Sequence, residues 1–278
     1  MTMKSIIAVA SGDDADAHLL SVTAKLAAHF TAHLRVSPAF ADPAANLVFY
    51  GTSLGHGAPD LLDRVNASLR EAQDKLESLG RDVAAAQRLR SDALIVERRA
   101  LQPAEALASA AVLADLVAFS GAGVRSPIVS GMFAETLISM RAPCLIVNGP
   151  RYAFEAAAVA WDGSAQAGRA VRAALPLLKA ASRVVLLRNA DDGALDADDA
   201  NADRLIDYLE RNGVVAVTTH TVRGAAVAPS LLAGAQSETC ELLVAGGYGR
   251  PRLYELALGG TTRSLVNAKD APHVFLAH

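Results

Sequence analysis

Apolar positions along the chain follow two rhythms. Short unbroken runs of Val, Ile, Leu and Ala read as strands buried on both faces. Between them lie stretches whose apolar residues return every three or four positions, the signature of a helix with one buried face. In the second half this gives strand 156–161, a helix opened by Ser164, strand 184–187, and a helix over 203–212 stopped by Gly213. A β-rich stretch over 214–222, helix 229–237, strand 242–245, helix 261–268 and strand 273–277 complete it. Ser164 fits an N-cap. Ala167, Ala170, Val171, Ala174, Leu175 and Leu178 form the buried stripe of its helix, which Pro176 should loosen. In the first half a strand through residues 6–10 precedes a helix ending near Phe30. A long connection over 38–59 leads to an amphipathic helix over about 60–80, with its stripe at Leu62, Val65, Leu69, Ala72, Leu76 and Leu79. Strands separated by helices predict parallel pairing through right-handed crossovers, hence an open α/β sheet covered on both faces.

The pattern occurs twice. Ile6-Ile7-Ala8-Val9-Ala10-Ser11-Gly12-Asp13-Asp14 parallels Ala156-Ala157-Ala158-Val159-Ala160-Trp161-Asp162-Gly163-Ser164. Asp115-Leu116-Val117-Ala118-Phe119-Ser120-Gly121-Ala122-Gly123 parallels residues 241–249, and Ala142-Pro143-Cys144-Leu145-Ile146-Val147 parallels Ala271-Pro272-His273-Val274-Phe275-Leu276. Three landmarks in one order indicate a duplicated unit. The expected domains are residues 1–148 and 153–278, joined at Asn148-Gly149-Pro150-Arg151, which has a linker's composition.

Residues 240–268 carry the densest candidate chemistry. A buried strand runs into glycines at 246, 247, 249, 259 and 260, and Thr261, Thr262 and Arg263 open a helix. Glycines admit a ligand close to the backbone, and the first helical N–H groups lack partners, so a strand, a glycine turn and a helix start make an anion site. In open α/β sheets ligands lie beyond the carboxyl ends of strands, where Asp162 and the Gly246–Gly249 turn would meet. The spacing is neither a Walker A loop nor the dinucleotide fingerprint. In the first half Ser120-Gly121-Ala122-Gly123 is followed by Gly131, and Met132-Phe133 stands where small polar residues would be needed. That copy is read as degenerate and empty.

Composition narrows the possibilities. The chain has 278 residues, 52% hydrophobic and 20% charged, enough for well-formed cores, with a net charge of -3. An acidic balance and a pI near 6.2 argue against a nucleic-acid surface. No apolar run is long enough to span a membrane and no signal-peptide pattern opens the chain, so a cytoplasmic location is expected. Cys144 and Cys240 stand apart beside apolar runs and read as buried thiols. The seven histidines form no zinc motif, Asp13 and Asp14 read as an acidic helix start, and no paired carboxylates or nucleophile elbow suggest catalysis.

The whole chain resembles a tandem universal stress protein. The likeness is carried by Val159-Ala160-Trp161-Asp162-Gly163-Ser164 and Arg169-Ala170-Val171. It continues through Gly246-Gly247-Tyr248-Gly249-Arg250, Leu258-Gly259-Gly260-Thr261-Thr262-Arg263 and Ala271-Pro272. The resemblance implies two α/β sandwich domains of adenine nucleotide alpha hydrolase-like fold, each around a mainly parallel five-stranded sheet. It also implies that the halves pair through their last strands, with Ile146–Asn148 beside Phe275–Ala277; a homodimer of the fused chain is left open. For the second half it implies ATP or a related adenine nucleotide, with or without Mg²⁺. Asp162 and Gly163 would stand at the adenosine end, with Asn189 in place of an apolar residue near adenine. Gly246, Gly249 and Gly259 would lie along ribose and phosphates, with Gly260, Thr261, Thr262 and Arg250 at the phosphates. Three functions stay open: a regulatory nucleotide-binding protein, a slow ATP hydrolase, and a nucleotide-free interaction module acting through its dimer surface.

Overall fold

The computed structural model describes residues 2–40, 58–98, 100, 102–190, 195–247, 260–269 and 271–278. The first half runs β1 (Ser5–Ala10), α1 (Asp16–Phe30), β2 (His33–Pro38), α2 (Ala58–Ala86), β3 (Leu94–Val96), α3 (Pro103–Ala111), β4 (Leu116–Ser120), α4 (Pro127–Ala134) and β5 (Cys144–Val147). The second runs β6 (Ala156–Ala160), α5 (Ala165–Ala180), β7 (Arg183–Asn189), α6 (Leu195–Arg211), β8 (Val217–Val222), α7 (Val227–Ser237), β9 (Leu242–Gly246), α8 (Gly260–Asn267) and β10 (His273–Ala277).

These strands form one ten-stranded sheet in the order β3-β2-β1-β4-β5-β10-β9-β6-β7-β8. Within each half every pairing is parallel. At the seam β5 and β10 run antiparallel, with Leu145 opposite Phe275 and Ile146 opposite Val274. The molecule is thus two tandem open α/β halves of the same strand order, related by an approximate two-fold at the seam. The carboxyl ends of the strands face opposite ways in the two halves.

Burial on both faces explains the unbroken apolar runs. Ile6, Ala8 and Ala10 of β1 join a core beneath α1, while Ile7 and Val9 point into the core on the other face. Leu242 and Val244 of β9 divide from Leu243 and Ala245 in the same way. The predicted α5 stripe is buried throughout. Its helix continues through Pro176 rather than loosening there. The carbonyl that Pro176 leaves without a donor belongs to Arg172, an exposed residue where water can serve it. Two helices outrun their expected limits: α6 begins at Leu195, not 203, and α2 extends to Ala86. Val65 and Leu76 of the α2 stripe are buried and Leu69, Ala72 and Leu79 pack half-buried beside them.

One polar device recurs by duplication. The Asp115 carboxylate accepts the N–H groups of Lys4 at 2.6 Å and Ser5 at 2.9 Å, and Glu241 accepts those of Ala153 and Glu155 at 3.0 and 3.1 Å. In each half an acid just before the fourth strand pins the start of the first. At the seam His273 is buried. Its Nδ1 accepts the Asn148 N–H at 3.1 Å and its Nε2–H reaches the Arg151 carbonyl at 2.8 Å, a pattern only the neutral ring can make. Burial lowers its pKa from the ordinary value and so favours that form.

Candidate functional site

The second-half crevice forms where β6 and β9 end together. Val159 of β6 pairs with Val244 of β9, so the Trp161–Ser164 turn and Gly246 leave the sheet at the same edge. Gly246 then lies against the first turn of α5. A β-carbon there would stand 2.7 Å from the Ala167 nitrogen and 2.8 Å from the Gln166 carbonyl carbon. Real β-carbons do not come so close to backbone, so this approach requires glycine. Gly247 continues toward β10, donating its N–H to the Ala277 carbonyl at 2.8 Å.

The acidic turn is organised by its own hydrogen bonds. The Asp162 carboxylate is exposed and one oxygen accepts the Ser164 N–H at 2.9 Å, an Asx-type turn. Gly163 takes the left-handed conformation (φ +71°), and a side chain there would meet Asn201 of α6. Ser164 is the N-cap of α5, its hydroxyl accepting the Ala167 N–H at 3.1 Å. Asp162 therefore shapes the turn without capping the helix, and its outer oxygen is left to solvent or a ligand. Next to it in the chain the Trp161 indole N–H is shielded from water with no hydrogen-bond partner among the described residues. A buried donor of that kind has an unmet demand.

The remaining predicted residues divide. Gly260 opens α8, is exposed, and among the described residues has nothing within 4 Å of the position a β-carbon would take. Thr261 is exposed and Thr262 is buried against the core side of α8. Asn189, at the end of β7, turns its amide to the Gly224 carbonyl at 3.0 Å, which ties β7 to the segment after β8. Gly249, Arg250 and Gly259 lie outside the described residues.

At the corresponding turns of the first half the backbone donors are taken from within the chain. Asp16, in the first turn of α1, is 3% exposed. Its two oxygens accept the Ser11 N–H at 3.0 Å and the Gly12 N–H at 2.8 Å. Two backbone donors at a strand-to-helix turn are thus satisfied from within the chain. Burial raises the Asp16 pKa from 3.8 to about 6, against those two hydrogen bonds and with a smaller push from Asp13. The Ser120 hydroxyl accepts the Gly123 N–H at 2.9 Å. Gly131 is not the counterpart of a phosphate-turn glycine, because α4 begins four residues earlier, behind the Ser126 cap. Met132 and Phe133 are core residues, Phe133 packing edge-on to Phe119 at 5.5 Å. Sequence reading singled out Asp13 and Asp14 here and missed Asp16. The signal was its place one helical turn on, where the second half has Ala167.

A cleft of about 280 Å³ lies between α1 and α2, bordered by Asp13, Asp14, Lys75 and Asp82. Lys75 bridges it to Asp14 at 3.1 Å. Among the described residues no group of acids, histidines and cysteines is placed to hold a metal ion, and no helix is long and apolar enough to cross a membrane.

An open α/β sheet with a glycine-lined strand exit defines a class of small-ligand-binding folds. Residues 154–274 match the model of the universal stress protein family, and the second half is a domain of that family. The fold of the entire chain is shared with solved structures. A universal stress protein from Archaeoglobus fulgidus DSM 4304 superimposes with TM-score 0.65 at 17% identity, over 98% of this chain and 96% of that one. A putative universal stress protein from Pseudomonas aeruginosa UCBPP-PA14 gives 0.61 at 13% identity, over 99% and 93%. No curated protein matches the sequence.

Proposed function

We propose that the protein is a stress-response regulator whose second half binds ATP or a related adenine nucleotide, with or without Mg²⁺, while the first half takes none. The observation that carries this reading is the backbone contact of Gly246 with the first turn of α5. It brings a bare strand exit to the Asp162 turn at a sheet edge where ligands of this fold bind. Three further features support it. Among the described residues the Trp161 indole N–H next to that turn has no partner and the α8 start at Gly260 is open, and the matching donors of the first half are already taken by Asp16. In this reading Asp162 and Gly163 face the adenosine end. Gly246, Gly249 and Gly259 line the ribose and phosphates, with Gly260, Thr261, Thr262 and Arg250 at the phosphates. Asn189 supports the wall near the base from its bond to Gly224.

The ligand is a regulator and not a substrate, since nothing among the described residues near the crevice forms an acid–base pair. The domains are residues 1–148 and 153–278, acting as an internal pair across the β5–β10 seam, and the location is the cytoplasm.

The test is binding to the purified full chain. Ligand at a hundredfold excess over Kd adds about 2.7 kcal/mol to stability, a rise in Tm of about 5 °C or more for a chain of this size. ATP with Mg²⁺ at millimolar concentration produces that rise, and denaturing the protein as purified releases an adenine nucleotide detectable by mass spectrometry. No shift and no released nucleotide would leave the interaction-module reading in its place.

A further inference from the structure

The seam gives the second-half crevice a wall that does not belong to the second half. Because β5 and β10 are antiparallel, the beginning of β5 lies beside the end of β10, with Cys144 opposite Leu276. Residues just before β5 therefore run past the edge where Gly246 and Gly247 leave the sheet. The contact is direct at Leu137, a fully buried side chain of the first half whose Cδ2 is 3.2 Å from the position a Gly247 β-carbon would occupy. Between Leu137 and β5 comes an exposed arginine, Arg141, whose backbone is left-handed at φ 53°. Its base is held on both sides, by the Met140 N–H on the Glu135 carbonyl at 3.1 Å and the Ala142 N–H on the Thr136 carbonyl at 3.1 Å. At the opposite end of the seam the two-fold image of this contact is present, the Gly123–Arg125 turn packing against α8.

We propose that Arg141 of the first half supplies a positive charge to the phosphate end of the nucleotide held by the second half, so that the site is complete only in the fused pair. This rests on the nucleotide-binding reading given above. Two strand spacings, about 10 Å, separate the line of β5 from that of β9, a gap that an arginine side chain and a polyphosphate chain bridge together. Its base, fixed by the two flanking backbone bonds, limits the entropy lost on contact. Family likeness in the second half alone would not reveal it, since residue 141 lies outside the matched span.

The experiment is equilibrium binding of ATP and of adenosine to the full chain and to Arg141→Ala, Arg141→Glu and Arg141→Lys, at low and at high salt. The surface position of Arg141 keeps all three variants folded, which their melting curves check. A partly exposed charge contact contributes on the order of 1 kcal/mol. ATP affinity accordingly falls about fivefold in Arg141→Ala and more in Arg141→Glu, with Arg141→Lys close to wild type. The losses shrink as salt rises, and adenosine affinity stays within about twofold throughout. Wild-type binding with ATP affinity unchanged in Arg141→Glu overturns this inference and leaves the nucleotide site standing. Equal losses for ATP and adenosine overturn it as well, since they mark a structural role. No binding of ATP by wild type removes both readings.

Discussion

Gly246→Val lowers stability by about 2–4 kcal/mol and abolishes nucleotide binding in whatever fraction folds. Any β-carbon at this site meets the backbone of Gln166 and Ala167 inside van der Waals contact, and backbone in the first turn of a helix cannot swing aside as a flexible side chain could. Relief requires β9 or α5 to shift, and both are set in the core by Val244, Ala170 and Val171. Valine adds a β-carbon and two methyl groups to a junction with no room for the β-carbon alone. Gly260→Ala is the contrast. Among the described residues nothing lies within 4 Å of its β-carbon, so its unfolding free energy stays within about 0.5 kcal/mol of wild type. If Gly246→Val unfolded at the same urea concentration as Gly260→Ala, the backbone approach that defines the crevice would not exist.

The second large effect depends on pH. Asp16 is held near pKa 6 in the folded protein, against 3.8 ordinarily. Between those values the folded state binds more protons than the unfolded one, so stability falls as pH rises. The contribution is full below about 3.8 and gone above about 6. At 1.36 kcal/mol per pKa unit the swing is about 3 kcal/mol. Asp16→Asn removes the titration while keeping an oxygen that can accept from Ser11 or Gly12. From about pH 4 to pH 7 the variant therefore gains on wild type by about 2–3 kcal/mol. Parallel stability curves for the two proteins across that range would show that Asp16 is not buried as described. The same carboxylate occupies the first-half turn that matches the Asp162 turn of the second half, so a ligand entering there at neutral pH would face a buried negative charge.

Much of this architecture could be read from residues alone. A strand buried on both faces cannot afford polar positions, so β1, β4, β6, β7 and β9 stand out as unbroken apolar runs. Their matched order revealed the duplication. Helix limits were harder to read. The start of α6, Leu195-Asp196-Ala197-Asp198-Asp199, carries no apolar stripe, and the expected boundary slipped to 203. In the first-half turn Gly131 invited alignment with Gly259, yet Ser126 and Pro127 start α4 before it.

At the site, Asp162, Gly163, Ser164 and Gly246 could be placed because glycine and cap residues report local backbone geometry. Asp16, Asp115, Glu241 and His273 act through partners distant in the fold or across a turn, and no spacing rule announces them. Arg141 belongs to that second group, since its relation to Gly247 exists only once β5 and β10 are paired.

The most direct test of the account is the number of nucleotides bound per chain, counted by isothermal titration with ATP and Mg²⁺ on the full-length protein. One bound per chain is the predicted result. Two per chain would show that the first-half crevice is open despite Asp16, and none would show that the Gly246 junction is a strand-to-helix turn and nothing more.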